Sequence, residues 1–151
     1  MKVFRIADAR HPIFDGTGAK LLGGRWNSPG LAVIYASENL SCARLEQLAR
    51  LQLSKLPPSQ RWIEITIPDD LTIEHFDPAS MPGWNAIDCL ISRDFGDRWL
   101  RECRAPVLLV PSLAAPGEHN VLISPRHSDF GRISASKERE LIWDERLFER
   151  R

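Results

Sequence analysis

The stretch LAVIYAS, residues 31–37, is a near-continuous apolar, β-rich run of strand length. Such a run is stable as a strand only where both of its faces are covered, so it is predicted to lie in the interior of a sheet. The residues before it have a different character. GGRWNSPG, residues 23–30, carries two glycines at one end and a Pro-Gly pair at the other. Glycine permits positive φ and close approach of another group, and the residue before Pro29 is biased away from helix. The backbone here is shaped, not merely connecting. Within it stand Arg25, a five-donor fork suited to carboxylate or phosphate, Trp26, a large flat ring, and Asn27, a bidentate amide.

The rest of the chain reads as strands with two helices between them. KVFRIAD at the N-terminus is predicted to be a short strand, followed by a polar loop with DGTG. After LAVIYAS, Ser37 is placed as a helix cap and Glu38 in a first turn. NLSCARLEQLARLQLSK follows, with Leu40, Ala43, Leu48 and Leu51 at helical spacing, and this helix should stop before Pro57-Pro58. RWIEITIP, residues 61–68, alternates with Ile63, Ile65 and Ile67 on one face, the pattern of a half-exposed strand. The next twenty residues, rich in Pro, Asp and Gly, read as an extended loop before a shorter helix carrying DFGDRWLREC. APVLLVPS and HNVLISP read as two further strands, and ERELIWDERL as a last one. This pattern makes an α+β or mixed α/β domain with no room for a second.

Composition narrows the function classes. Lys+Arg and Asp+Glu both total 20, so no net field draws in nucleic acid, and a direct nucleic-acid role is not expected. No apolar run reaches bilayer length and no signal segment follows Met1, which makes the cytoplasm the expected location. Cys42, Cys89 and Cys103 lack a CxxC and read as reduced, mostly buried thiols. His11, His75, His119 and His127 show no metal-ligand spacing, so no metal is implied. DGTGAKLLGG is neither GxGxxG nor GxxxxGK[ST], and a dinucleotide or P-loop fingerprint is absent.

Four residues have chemistry that does not match their setting: Arg25 in the shaped turn, Tyr35 in the apolar strand, Glu46 within a helix, and Ser112 directly after LLVP. Singly, each has a plain explanation. A surface arginine, a core ring and a strand-ending serine are common, and a Glu46 facing the sheet would need a partner such as Arg25, because an isolated buried carboxylate is costly.

Their order carries more information. GGRWNSPG, a strand with YAS, a helix with ARLE in its first two turns, then LLVPS, EHNVLISP and WDERL together resemble the RES domain family, over a span from about Gly23 to Leu147. The Arg, Glu and Ser of the family name fall at Arg25, Glu46 and Ser112, and Tyr35 falls where the family carries its pocket tyrosine. The resemblance implies a single compact α+β domain over residues 1–151, an ADP-ribosyltransferase-like mixed sheet with few helices. It also implies a toxin role in two-gene toxin–antitoxin modules, and degradation of NAD+.

On that reading NAD+ is a substrate, and no cofactor is needed. Arg25 would clamp the pyrophosphate, Tyr35 would stack on nicotinamide, and Trp26 and Asn27 would line the same cleft. Glu46 would act on the oxocarbenium-like state formed as the nicotinamide–ribose bond breaks, Ser112 would bond the amide or ribose, and Asn120 would support the loop. In the wider transferase group the catalytic glutamate lies on a late strand, whereas Glu46 lies on an early helix; Glu118, near a late strand, ranks behind it. The acceptor is left open between water, phosphate and a protein side chain, and a catalytically silent partner-binding module is the alternative of another class. The implied partner is an Xre-like antitoxin covering the site within a higher-order complex.

Overall fold

The computed structural model of the chain describes residues 1–51 and 59–148. In chain order the elements are β1 (Lys2–Asp8), α1 (Thr17–Leu22), β2 (Ile34–Ser37), α2 (Leu40–Leu51), β3 (Gln60–Thr66), β4 (Ile73–His75), α3 (Leu90–Glu102), β5 (Val107–Pro111), β6 (His119–Ile123), β7 (Ser134–Ala135) and β8 (Arg139–Glu140). The strands form one sheet in the order β4-β5-β6-β2-β1-β3-β7, with β8 also paired to β3. β4 and β5 run parallel, and the other pairs are antiparallel. This is the expected mixed sheet with few helices. As its apolar run requires, β2 is interior, between β6 and β1.

Strand register sorts the side chains onto two faces, because paired residues share a face and neighbours along a strand alternate. Ile34 and Ala36 of β2 pair with Ile123 and Val121 of β6 and face the larger core, with Val3, Ile63, Ile65, Ile67 and Val107. That face is covered by Ile13, Phe14, Leu71, Phe130 and Ile133 from connecting segments. On the other face Tyr35 pairs with Leu122 and Ser37 with Asn120, which in turn pair with Leu108 and Val110 of β5. Trp99 and Leu100 of α3 pack over Leu108, Val110 and Leu122, and Ala43 of α2 packs against Ile6 of β1. Beneath α3 the face is apolar. Toward α2 it turns polar, at Ser37, Asn120 and Ser112.

Several local expectations are corrected. Asn39, not Ser37, caps α2: its Oδ1 accepts from the Cys42 N–H at 2.8 Å, the N3 position that a capping side chain satisfies. Ser37 instead ends β2 with its hydroxyl turned to Asn120. The stop expected at Pro57-Pro58 lies outside the described residues. Thr17–Leu22 of the presumed polar loop forms α1, which buries no residue of its own and so shows no amphipathic pattern to read. The long loop contains β4, three residues that exist as a strand only through their pairing with β5. The helix around DFGDRWLREC, α3, runs over 13 residues, Leu90–Glu102. In the tail only Arg139–Glu140 pairs as a strand. Of the three cysteines only Cys42 is buried.

The doubly covered core makes a direct prediction. Ile65 is fully buried at the middle of the larger cluster, so Ile65→Ala should lower unfolding free energy by about 2–5 kcal/mol in urea denaturation. A loss below about 1 kcal/mol would mean that this face is loosely packed.

Candidate active site

The turn GGRWNSPG is built around the Tyr35 hydroxyl. That hydroxyl donates to Asn27 Oδ1 at 2.7 Å and accepts the Trp26 N–H at 3.1 Å. Burial pushes the phenol well above its ordinary range, so it stays neutral and can donate. Asn27 is wholly buried, and its amide nitrogen bonds the carbonyls of Ala19 at 2.8 Å and Leu31 at 3.0 Å. Gly24 must be glycine because a Cβ there would stand 2.7 Å from the Tyr35 hydroxyl oxygen. Trp26 is 2% exposed, stacked with Trp84 and edge-on to Phe76. Trp26 and Asn27 are thus buried in the frame of the turn, the Trp26 ring packed among aromatics and the Asn27 amide bonded within the protein.

Helix α3 grips the turn from outside. Ser92 Oγ donates to the Arg25 carbonyl at 2.8 Å, and Arg93 Nε donates to the Gly24 carbonyl at 3.2 Å. The buried carboxylate of Asp97 accepts the Ser28 N–H at 2.7 Å and the Ser28 hydroxyl through its other oxygen. Gly96 lets the two backbones meet, since a Cβ on it would lie 1.8 Å from the Trp26 carbonyl oxygen. Ser92 and Gly96 stand one helical turn apart with Asp97 beside them, the spacing of a single helix stripe. That spacing is a signal present in the sequence, but only the docked turn gives it meaning.

Arg25 itself is half-buried. Its Nη1 donates to the Ala86 carbonyl at 2.9 Å and more distantly to that of Trp84 at 3.4 Å. Among the described residues its Nε and Nη2 have no hydrogen-bond partner and no carboxylate pairs with it, so Glu46 is not its ion-pair partner. The guanidinium is oriented by carbonyls and keeps Nε and Nη2 without a partner among the described residues.

Glu46 is held by two other residues singled out from the sequence. Ser112 Oγ and Asn120 Nδ2 both donate to its Oε1 at 2.6 Å, short distances typical of charge-assisted bonds. Each donor is itself fixed. Asn120 Oδ1 accepts from Ser37 Oγ at 2.8 Å, which sets the amide's orientation, and Ser112 Oγ accepts the Ala115 N–H at 3.0 Å. The second carboxylate oxygen, Oε2, takes no hydrogen bond from the described residues. Cys42, one turn before Glu46, places its thiol 3.7 Å from Asn120 Oδ1, and burial raises its pKa, keeping it protonated. Glu118 stands apart from this group: it accepts from Asn39 Nδ2 at 2.8 Å, at the start of α2.

The structure therefore gathers the residues into two groups. Glu46, Ser112 and Asn120 form one, joined by Ser37, which sequence reading missed because a serine at a strand end carries no distinguishing pattern. Arg25, Trp26, Asn27 and Tyr35 form the other. β2 links them, since Tyr35 and Ser37 are alternate residues on one face, about 7 Å apart along the strand. An anchored cation, a half-buried ring and a carboxylate with one open oxygen thus share one side of one sheet.

A mixed sheet bearing such a site on its helix-covered face defines a class to which known proteins can be compared. The family model of the RES domain matches residues 2–144, and the chain belongs to that family. It is 40% identical over 152 residues to the Prs ADP-ribosylating toxin of Sphingobium sp. (strain YBL2), an alignment covering 95% of this chain and 94% of that protein. It is 37% identical over 115 residues to the toxin Res of Pseudomonas putida, covering 75% and 78% of the two chains. The fold is that of the crystal structure of the M. tuberculosis MbcT–MbcA toxin–antitoxin complex, with a TM-score of 0.76 at 18% identity, covering 93% of this chain and 83% of that one.

Two substitutions test how the turn is held. Tyr35→Phe removes both bonds at the hydroxyl and leaves Asn27 Oδ1 and the Trp26 N–H short of a partner, so stability should fall by about 1–3 kcal/mol in denaturant unfolding. Gly96→Ala should fold poorly or not at all, while Gly131→Ala, whose Cβ meets nothing within 4 Å, should change stability by no more than about 0.5 kcal/mol. Equal melting temperatures for the two alanine variants would refute the close contact between α3 and the turn.

Proposed function

We propose that this chain is the toxin of a two-gene toxin–antitoxin module and that it acts by cleaving the nicotinamide–ribose bond of NAD+. The observation that carries the reading is Glu46, with Oε1 fixed by Ser112 and Asn120 and Oε2 unengaged, on the same sheet face as Tyr35 and the Arg25 turn. A carboxylate held this way undergoes little reorganisation as positive charge develops beside it, the condition under which electrostatic stabilisation is most effective. Cleavage of the bond sends its electron pair to nicotinamide and leaves a cationic ribosyl centre. Glu46 Oε2 offers that centre its negative charge or a hydrogen bond to a ribose hydroxyl. Arg25 takes the pyrophosphate with the donors it has left, and the Tyr35 ring packs on the nicotinamide.

The acceptor decides the product. Water or phosphate would release ADP-ribose or its phosphate. Transfer to a protein is the second reading, and the 40% identity to a Prs ADP-ribosylating toxin favours it. Both share the bond-breaking step, so the residue roles stand under either. For restraint we propose an Xre-like antitoxin that occludes the cleft. The likeness to one chain of a toxin–antitoxin complex supports an antitoxin partner.

Purified chain incubated with NAD+ should release nicotinamide. Glu46→Gln should spare NAD+ binding and lower turnover by roughly 10²-fold or more, because it removes the charge that acts in the transition state. Arg25→Ala should chiefly raise KM. Radiolabelled adenylate in NAD+ then separates the acceptors: label on protein means transfer, label in a small product means hydrolysis or phosphorolysis. No nicotinamide release from partner-free protein, with phosphate, without it, and with lysate as acceptor, would leave the silent partner-binding module as the reading.

A further inference from the structure

The WDERL motif near the C-terminus has no part in the site as described, yet it lies against the helix that carries Glu46. Trp143 is 8% exposed and Leu141 7%, and both cluster with Ala43 of α2 and Ile6 of β1, with Leu40, Leu48, Trp62 and Phe148 packed around them. Polar contacts reinforce the cluster at fixed points. Trp143 Nε1 donates to Gln60 Oε1 at 3.0 Å, Gln60 Nε2 donates to Gln47 Oε1 at 3.2 Å, and Gln47 Nε2 donates to the Ile6 carbonyl at 3.2 Å. Arg44 Nη1 donates to the Ile142 carbonyl at 2.6 Å, and its guanidinium carbon lies 5.3 Å from the centre of the Trp143 ring. Gln60 also fixes the backbone of this C-terminal strap, residues 141–148, its carbonyl accepting the Leu141 N–H at 3.1 Å. Asp144 then caps a turn of 3-10 helix over Glu145–Leu147 by accepting the Arg146 N–H at 2.9 Å.

Helix geometry shows what this grip controls. Asn39, Cys42 and Glu46 form the stripe of α2 that meets β6, whereas Leu40, Ala43, Arg44, Gln47 and Leu48 form the stripe that meets the strap. At about 100° per residue the two stripes lie roughly a third of a turn apart. Rotation or sliding of α2 is therefore resisted on one side by the strap and Ile6 of β1 and on the other by Asn39 with Glu118, by Cys42 and by the Glu46 group. Gln47 is the neighbour of Glu46, and its side chain is bonded at both ends. We infer that the C-terminal strap, through Trp143 and the Gln60–Gln47 relay, positions Glu46 for catalysis. Trp143 is a positioning residue; it touches neither the Glu46 carboxylate nor its donors.

The inference rests on Glu46 being the catalytic carboxylate, and the test separates the two. Steady-state nicotinamide release should show kcat lowered roughly tenfold in Trp143→Ala, with KM for NAD+ changed less than about twofold, since misplacing a catalytic group costs turnover before binding. Trp143→Phe, which keeps a ring against Arg44 and loses the bond to Gln60, should recover part of that loss. Ile133→Ala, a cavity in the core on the opposite face, serves as a variant of comparable melting temperature that should keep wild-type kcat. Amide hydrogen exchange gives a readout independent of activity: Trp143→Ala should speed exchange in α2 and leave α3 unchanged. If α2 exchange is unaltered, or Trp143→Ala keeps wild-type kcat, the strap does not position Glu46. If the wild-type chain releases no nicotinamide, the proposed reaction fails, and the exchange measurement still decides whether the strap holds α2. Should Trp143→Ala fail to fold, the exchange and kinetics of Trp143→Phe take its place.

Discussion

The two hydrogen bonds on one oxygen of Glu46 tie together three elements remote in sequence: α2, the end of β5 at Ser112, and β6 at Asn120. Much of the architecture is arranged so that these bonds can form. β6 lies between β5 and β2, which brings Ser37 of β2 to the Asn120 amide and Ser112 at the end of β5 to the same carboxylate. An unpaired carboxylate facing a sheet would be expensive to desolvate. Two short charge-assisted bonds offset that cost and leave the second oxygen open, so the device that makes the carboxylate tolerable is also what aims it.

β6 is the late strand that faces the site, and at the facing position it carries an amide, Asn120, instead of a carboxylate. Glu46 is delivered to that amide from α2. The position of this carboxylate therefore depends on the placement of a helix. Helix placement rests on packing, and on the outer side of α2 that packing comes from Leu141 and Trp143.

What was legible in the sequence follows from what each signal depends on. The interior strand, the alternating Ile63, Ile65 and Ile67, and the amphipathic α2 could be read because burial repeats with the period of the element. β4, β7 and β8 span two or three residues and exist through pairing alone, so no periodicity announces them. The same division runs through the site. Arg25, Tyr35 and Glu46 stood out because each is chemically out of place in its segment, and Ser112 through its place in the order of motifs. Ser37, Ser92 and Asp97 did not, because a serine at a strand end and polar residues on a helix are ordinary until the partner is known. Asn27 was legible as a polar group but not as a buried one: a cleft-lining amide and one spent on neighbouring carbonyls and the Tyr35 hydroxyl look alike in sequence.

The two halves of the site also differ in how they are held. The Arg25 turn is fixed mostly by hydrogen bonds to backbone and by one backbone-to-backbone approach at Gly96, contacts that tolerate almost no displacement. The Glu46 half is fixed by side chains at both ends, Ser112 and Asn120 inside and Gln47, Arg44 and Trp143 outside, which adjust by small rotations. On the proposed reaction, a rigid anchor would serve the anionic part of a dinucleotide and a finely supported carboxylate the bond that breaks. Uniform binding needs only a fixed cation, whereas stabilisation of a transient charge depends on small distances at one oxygen.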